Sequence, residues 1–119
     1  MAEPTVRATD ASGKTWDDPD ATALHDALAD LNLRWRFLIV SRLDREPAGQ
    51  HYMQAYINDD WSYQVEYRDG GADRHFEAYV PPQNELVGPE PVARVLAAYA
   101  ADRPGWRNAL DWRPRPPDA

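Results

Sequence analysis

Residues 61–80 read WSYQVEYRDGGADRHFEAYV, two runs of alternating apolar and polar residues that flank a Gly-Gly pair. This alternation predicts a β-hairpin with one buried face, because successive side chains of a strand point to opposite sides. With Gly70-Gly71 as a two-residue turn, Val65 lies opposite Phe76, Glu66 opposite His75 and Arg68 opposite Asp73. The first strand is then expected to turn four residues to the core, namely Trp61, Tyr63, Val65 and Tyr67.

Two helices and further strands surround this hairpin. Residues 5–9 and 13–16 predict a short hairpin, and residues 34–43 and 51–57 predict two longer strands. A first helix is expected from Asp18 as N-cap to about Asn32, and a second from residues 88–91 to just before Pro104. The sequence therefore predicts an α+β fold, an antiparallel meander sheet of four to six strands with two helices packed on one face.

The connection at residues 58–60 decides which side of the preceding strand is buried. A three-residue loop turns Met53, Ala55 and Ile57 to the core, opposite Val65, Tyr63 and Trp61, whereas a two-residue loop would bury Gln54. We expect the first arrangement, because burying an amide without a partner costs about 1–3 kcal/mol.

The length of 119 residues suits one domain with a core that needs no disulfide or metal. We expect this domain to span residues 1–113 and residues 114–119 to form a disordered, proline-rich tail. The chain contains no cysteine, which excludes disulfides, thiolate zinc sites and a cysteine nucleophile.

Thirteen basic and twenty acidic residues give a net charge of −7. Binding to nucleic acid or to an anionic membrane is therefore not expected, and a basic protein partner is favoured. The sequence shows neither a signal-peptide pattern nor a stretch of about 20 apolar residues, which predicts a cytoplasmic protein. Lys14 is the only lysine, a bias typical of GC-rich bacterial genomes.

The face of the sheet away from the helices is the predicted binding surface. Tyrosine and arginine offer large contact areas with polar tips and are enriched at interface anchors, although a solvated polar face has a similar composition. Charge reversal at Glu66 and Glu77 is expected to weaken partner binding with little effect on thermal stability. The predicted partner-binding residues are Tyr52, Gln54, Tyr56, Gln64, Glu66, Arg68, His75, Glu77 and Tyr79.

Nothing in the sequence indicates catalysis, and we expect no enzyme activity, cofactor or metal. His75 beside Glu66 could form an acid–base pair, but no nucleophile or orienting residue accompanies it, so a cross-strand ion pair is expected. His25 and His51 lack ligand spacing, and the aspartates at 17–20 and 59–60 suit a helix cap and a turn. The aromatic residues are expected in the core, with two partly exposed: Trp35, Trp61, Phe76 and Trp106 as core, Trp16 and Trp112 as partly exposed.

Several segments together resemble the small actinobacterial immunity proteins of polymorphic-toxin systems, in particular the first α+β immunity family. The resembling segments are Phe37-Leu38-Ile39-Val40, Tyr52-Met53-Gln54, Tyr63 to Gly70, His75-Phe76 and Trp106 to Trp112. The resemblance implies a cytoplasmic protein that binds and blocks a cognate toxin domain, often a nuclease or a deaminase. It transfers no defined set of inhibitory residues.

Two other interpretations remain open. The chain could be a homodimeric structural or regulatory domain that pairs through the open sheet face or an edge strand. It could also be a small ligand-binding fold with a pocket between sheet and helices, lined by Tyr63, Tyr67 and Tyr99.

Overall fold

The computed structural model describes residues 3–83 and 88–115. The described strands are β1 (Val6–Asp10), β2 (Thr15–Asp17), β3 (Phe37–Arg42), β4 (His51–Ile57), β5 (Tyr63–Asp69), β6 (His75–Val80) and β7 (Arg113–Pro114). The helices are α1 (Ala21–Ala29) and α2 (Glu90–Ala100), and short 3₁₀ turns lie at Ala72–Arg74 and Pro104–Asn108.

The described strands form one antiparallel sheet in the order β2-β1-β3-β4-β5-β6-β7. Strand β1 pairs with both β2 and β3, and the strands from β3 to β7 then follow as a meander. Both helices pack on one face of this sheet. The predicted α+β class is confirmed, but the sheet has seven strands rather than four to six because β7 extends the edge of the meander.

The hydrophobic core lies between the two helices and the apolar face of the sheet. This is the face that the alternation of apolar and polar residues predicted to be buried. The stripe Leu24, Ala27 and Leu28 of α1 and the stripe Val92, Val95 and Leu96 of α2 are buried, as their spacing predicted. The sheet supplies a continuous buried layer that includes Ala8, Leu38, Val40, Met53, Ala55, Ile57, Tyr63, Val65 and Tyr67. The ring centroids of Tyr67 and Tyr99 lie 4.7 and 5.4 Å from that of Trp106. This aromatic packing counts against a ligand pocket lined by Tyr67 and Tyr99.

Helix α1 begins two residues later than predicted. Its N-cap is Asp20, whose side chain accepts a hydrogen bond from the Ala23 backbone at 2.8 Å. Asp18 instead accepts hydrogen bonds from the backbone N–H groups of Thr5 and Val6, which holds the start of β1 against the end of β2. The helix also ends at Ala29, before Asn32. The Asn32 side chain accepts hydrogen bonds from the backbone N–H groups of Arg34 and Trp35 in the following turn.

Both predicted turn lengths in the meander are wrong. After β5, the 3₁₀ turn at Ala72–Arg74 lengthens the connection, so Tyr63 pairs with Val80, and His75 pairs with Arg68 instead of Glu66. Between β4 and β5, residues 58–62 form the connection, so Ile57 pairs with Tyr63. Each correction moves the register by two residues, which leaves the side chains within β4, β5 and β6 on their predicted faces.

Two tryptophans expected in the core are exposed. Trp61 lies in the β4–β5 connection with a positive φ of 68° and is 52% exposed. Trp35 lies in the turn before β3 and is 39% exposed. Trp106 is buried, and Trp16 and Trp112 are partly exposed, as expected.

The C-terminal segment returns to the domain. Trp106 fills the space beside Tyr67, and the Trp112 indole donates a hydrogen bond to the Trp106 carbonyl. Beyond it, Pro114 belongs to β7 and the backbone N–H of Arg115 donates to the His75 carbonyl at 2.8 Å, so these two residues do not form the start of a disordered tail. The remainder of the predicted tail, residues 116–119, lies outside the described residues.

Candidate functional site

The two helices leave one face of the sheet uncovered, which we call the open face. Strand pairing arranges its side chains in three rows that cross the strands. An aromatic row consists of Phe37, Tyr56, Gln64 and Tyr79. A central row consists of Ile39, Gln54, Glu66 and Glu77, and a basic row consists of Ser41, Tyr52, Arg68 and His75.

The structure places all nine predicted binding residues on the open face, but in different environments. Glu66 and His75 are buried, Tyr79 is 59% exposed, and the other six are partly buried. The sequence analysis missed Phe37 and Ile39, since β3 is apolar on both sides and gives no signal for which face is open. It also missed Arg115, which follows β7 directly and reaches Glu66 on the open face.

Glu66 is the centre of a hydrogen-bonded network. Its carboxylate accepts hydrogen bonds from Nε2 of His75 at 2.8 Å and from the guanidinium of Arg115. Arg115 also lies 3.8 Å from the carboxylate of Glu77, which in turn accepts from the Gln64 amide at 2.9 Å. Because Glu66 is only 9% exposed, reversing its charge would disturb folding as well as binding, contrary to the expectation from the sequence.

His75 is held by two partners in one tautomer. Nε of Arg68 lies 3.1 Å from Nδ1 of His75, and a guanidinium can only donate, so Nδ1 accepts and carries no proton. The ring proton then lies on Nε2 and is donated to Glu66. The expected ion pair is therefore a neutral histidine hydrogen-bonded to a carboxylate, oriented by Arg68.

The aromatic row lies at the end of the open face where β3 and β5 begin. The guanidinium of Arg36 lies 5.8 Å from the ring centre of Tyr56 and 2.6 Å from the carboxylate of Asp59. Its hydrogen bond to Asp59 raises the pKa of Arg36. Tyr79 projects beside this group, and the loop that carries Trp61 borders it.

A cleft of about 430 Å³ opens between the aromatic and central rows. It is lined by Gln54, Tyr56, Asn58, Gln64, Glu66, Glu77 and Arg115. Its lining residues carry carboxylate groups, amide groups and one phenol ring. These groups can bind a polar or cationic ligand.

The other polar residues singled out from the sequence have structural partners. Asp60 accepts hydrogen bonds from the backbone and hydroxyl of Ser62, and His51 bonds to the Glu46 carbonyl. His25 lies 3.7 Å from Glu90 at the surface. Within residues 3–83 and 88–115, no group of three or more His, Cys, Asp or Glu side chains is placed to hold a metal ion.

Comparison with protein-family models, with curated proteins and with solved structures found no significant match to this chain. Neither α1 nor α2 has the length and apolar character needed to cross a membrane.

Proposed function

We propose that this chain is an immunity-type protein of the cytoplasm that binds a cognate toxin domain through the open face and blocks it by occlusion, without catalysis. The toxin class implied by the sequence resemblance is a nuclease or a deaminase. The observation that carries the proposal is the open face itself. It is an uncovered sheet surface that presents aromatic, arginine and amide side chains in a fixed arrangement.

The open face is preorganised. Hydrogen bonds fix Glu66, His75 and Arg68, and the sheet backbone fixes the positions of Tyr56 and Tyr79. A rigid surface loses little conformational entropy on binding, so its contacts translate more fully into affinity. Exposed tyrosines at one end are the expected anchors, since Tyr is enriched among residues that dominate binding energy.

Charge acts here through long-range attraction more than through direct contact. On the open face, Glu66 and Glu77 are both close to the cation of Arg115. The acidic excess lies elsewhere, for example at the exposed residues Asp26, Asp30 and Asp73. A net charge of −7 would therefore raise the association rate of a basic toxin while aromatic and polar contacts provide the affinity.

The test is calorimetric titration of this protein with the toxin domain encoded next to its gene, together with growth of cells that express both. We expect a one-to-one complex and restored growth. Tyr79→Ala should weaken binding by about tenfold or more, as for an interface anchor. Arg94→Ala, an exposed change on α2, is the matched control and should bind as the unmodified protein does. Absence of binding and of rescue would refute the proposal.

Self-association is the competing use of the same face. Pairing of two copies through their edge strands is not favoured, because these strands are short. Strand β2 has three residues, and β7 has two, one of them proline. Sedimentation of the protein alone separates the two functions. A monomer is expected; a dimer that Tyr79→Ala dissociates would assign the open face to a second copy of the chain.

A further inference from the structure

We propose that the cleft on the open face is a guanidinium site, filled by the chain's own Arg115 in the free protein and by an arginine side chain of the partner in the complex. The existence of the site follows from the geometry of this chain. The exchange of one arginine for another rests on the function proposed above.

Two carboxylates converge on one guanidinium in this cleft. Arg115 donates to Glu66 through Nη1, and its Nε lies 3.8 Å from Oε2 of Glu77. The two glutamates are direct cross-strand neighbours, an arrangement of like charges that is unfavourable without a cation between them. A guanidinium suits this position because its planar fork presents five N–H donors to several acceptors at once.

The cleft keeps capacity for a cation when Arg115 is seated. Glu66 and Glu77 bring two negative charges, and Arg115 supplies one positive charge. Arg68 is engaged by His75 and by Oε1 of Gln50, and Arg113 lies near Asp111. Gln54, Asn58 and Gln64 line the remaining space of about 430 Å³. The excess negative charge therefore attracts a second guanidinium to the cleft, and that guanidinium takes the two carboxylates when Arg115 leaves them.

The backbone around Arg115 is held by fewer contacts than the glutamates that its side chain binds. Arg115 is preceded by a two-residue strand, and its own backbone N–H donates a single hydrogen bond to His75. Short edge segments of this kind open at low free-energy cost. Glu66, by contrast, accepts from Nε2 of His75 at 2.8 Å, a hydrogen bond that does not involve Arg115. Departure of Arg115 would leave the acceptor geometry in place.

The site is tested on the protein alone with N-acetyl-arginine amide as the probe. Arg115→Ala removes the internal guanidinium, and the probe should then shift the side-chain amide NMR signals of Gln54 and Gln64 in a saturable way. We expect binding at least about tenfold tighter than to the unmodified protein, with N-acetyl-lysine amide weaker because it lacks the planar fork. Adding Glu77→Gln to Arg115→Ala should weaken the probe again.

Arg94→Ala is the control, since that exposed residue lies on α2, away from the open face, and its side chain pairs with Glu90. It should behave as the unmodified protein. Arg115→Gln, which keeps most of the side-chain length, replaces the alanine variant if the latter does not fold. The guanidinium site would be refuted if the Arg115 variants bound the probe without saturation. It would also be refuted if they bound the probe no more tightly than the unmodified protein does.

The exchange is tested with the toxin domain. Removing a competing internal ligand should raise the affinity of Arg115→Ala for the toxin, whereas lower affinity would show that Arg115 itself contacts the partner and would overturn the exchange. If the unmodified protein binds no toxin, the proposed function and the exchange both fail, and the probe titration still decides whether the guanidinium site exists.

Discussion

Glu66 accepts a hydrogen bond from Nε2 of His75 at 2.8 Å although the two residues are not opposite each other in the sheet. His75 is paired with Arg68, and Glu66 is paired with Glu77. The contact is therefore diagonal, within reach of long side chains on neighbouring strands. In this arrangement Nδ1 of His75 accepts from Arg68, and Glu66 also accepts from Arg115. One buried carboxylate therefore connects β5, β6 and the C-terminal segment.

Removing the charge of Glu66 should destabilise the fold. Glu66→Gln replaces a charged acceptor of two hydrogen bonds by a neutral amide, and we expect the free energy of unfolding to fall by about 1–3 kcal/mol. Glu77→Gln, whose side chain is more exposed, is the matched control and should change it by less than about 1 kcal/mol. Urea unfolding of both variants measures the difference. Equal effects would show that Glu66 is not the centre of the network.

Arg42 should stabilise the contact between β3 and the end of α2. Its guanidinium bonds to both carboxylate oxygens of Asp44, at 3.1 and 2.9 Å, and donates to the Tyr99 carbonyl. Because Arg42 is only 7% exposed, Arg42→Met should lower the free energy of unfolding by about 1.5–3 kcal/mol. Arg45→Ala, which removes only a more exposed ion pair with Asp102, should cost under about 1 kcal/mol. Thermal or urea unfolding distinguishes the two results.

The same pair predicts a pH dependence. The hydrogen bond from Arg42 is the largest influence on Asp44 and lowers the pKa of its carboxyl below the ordinary value. A group with a lowered folded-state pKa stabilises the fold fully above its unfolded pKa of about 3.9, and this contribution is lost as the pH falls through the folded value. Asp44→Asn should therefore be less stable than the unmodified protein at pH 7, with a gap that narrows below about pH 4. Melting temperatures across pH 2–7 measure that gap, and a constant gap would contradict the prediction.

The sequence predicts the faces of the strands much better than the connections between them. Alternation places Tyr63, Val65 and Tyr67 on the core side and Gln64 and Glu66 on the open side, because burial imposes a period of two. Turn lengths depend on local hydrogen bonds, such as Arg74 N–H to the Gly71 carbonyl, that alternation does not encode. The contact of Arg115 with Glu66 joins residues 49 positions apart and could not be foreseen without the paired strands.

Trp61 should be replaceable without loss of stability. It is exposed in the β4–β5 connection and has a positive φ of 68°, a conformation that costs a residue with a Cβ about 1–2 kcal/mol and costs glycine little. Trp61→Gly should therefore leave the free energy of unfolding unchanged or raise it by up to about 1 kcal/mol. Because the Trp61 side chain lies beside Ala29, Leu31 and Pro89 on the helix side of the sheet, the same change should leave toxin binding through the open face unchanged. Unfolding and titration of one variant test both effects, and a large loss of stability would show that Trp61 packs on the domain.

The 3₁₀ turn at Ala72–Arg74 sets the register in which β6 pairs with β5. A shift of the β5–β6 pairing by one residue would turn Phe76, Ala78 and Val80 outward and His75 inward. A shift by two residues would preserve both faces and could move Glu66 directly opposite His75. Register shifts that the fold can accept at this hairpin therefore come in steps of two residues.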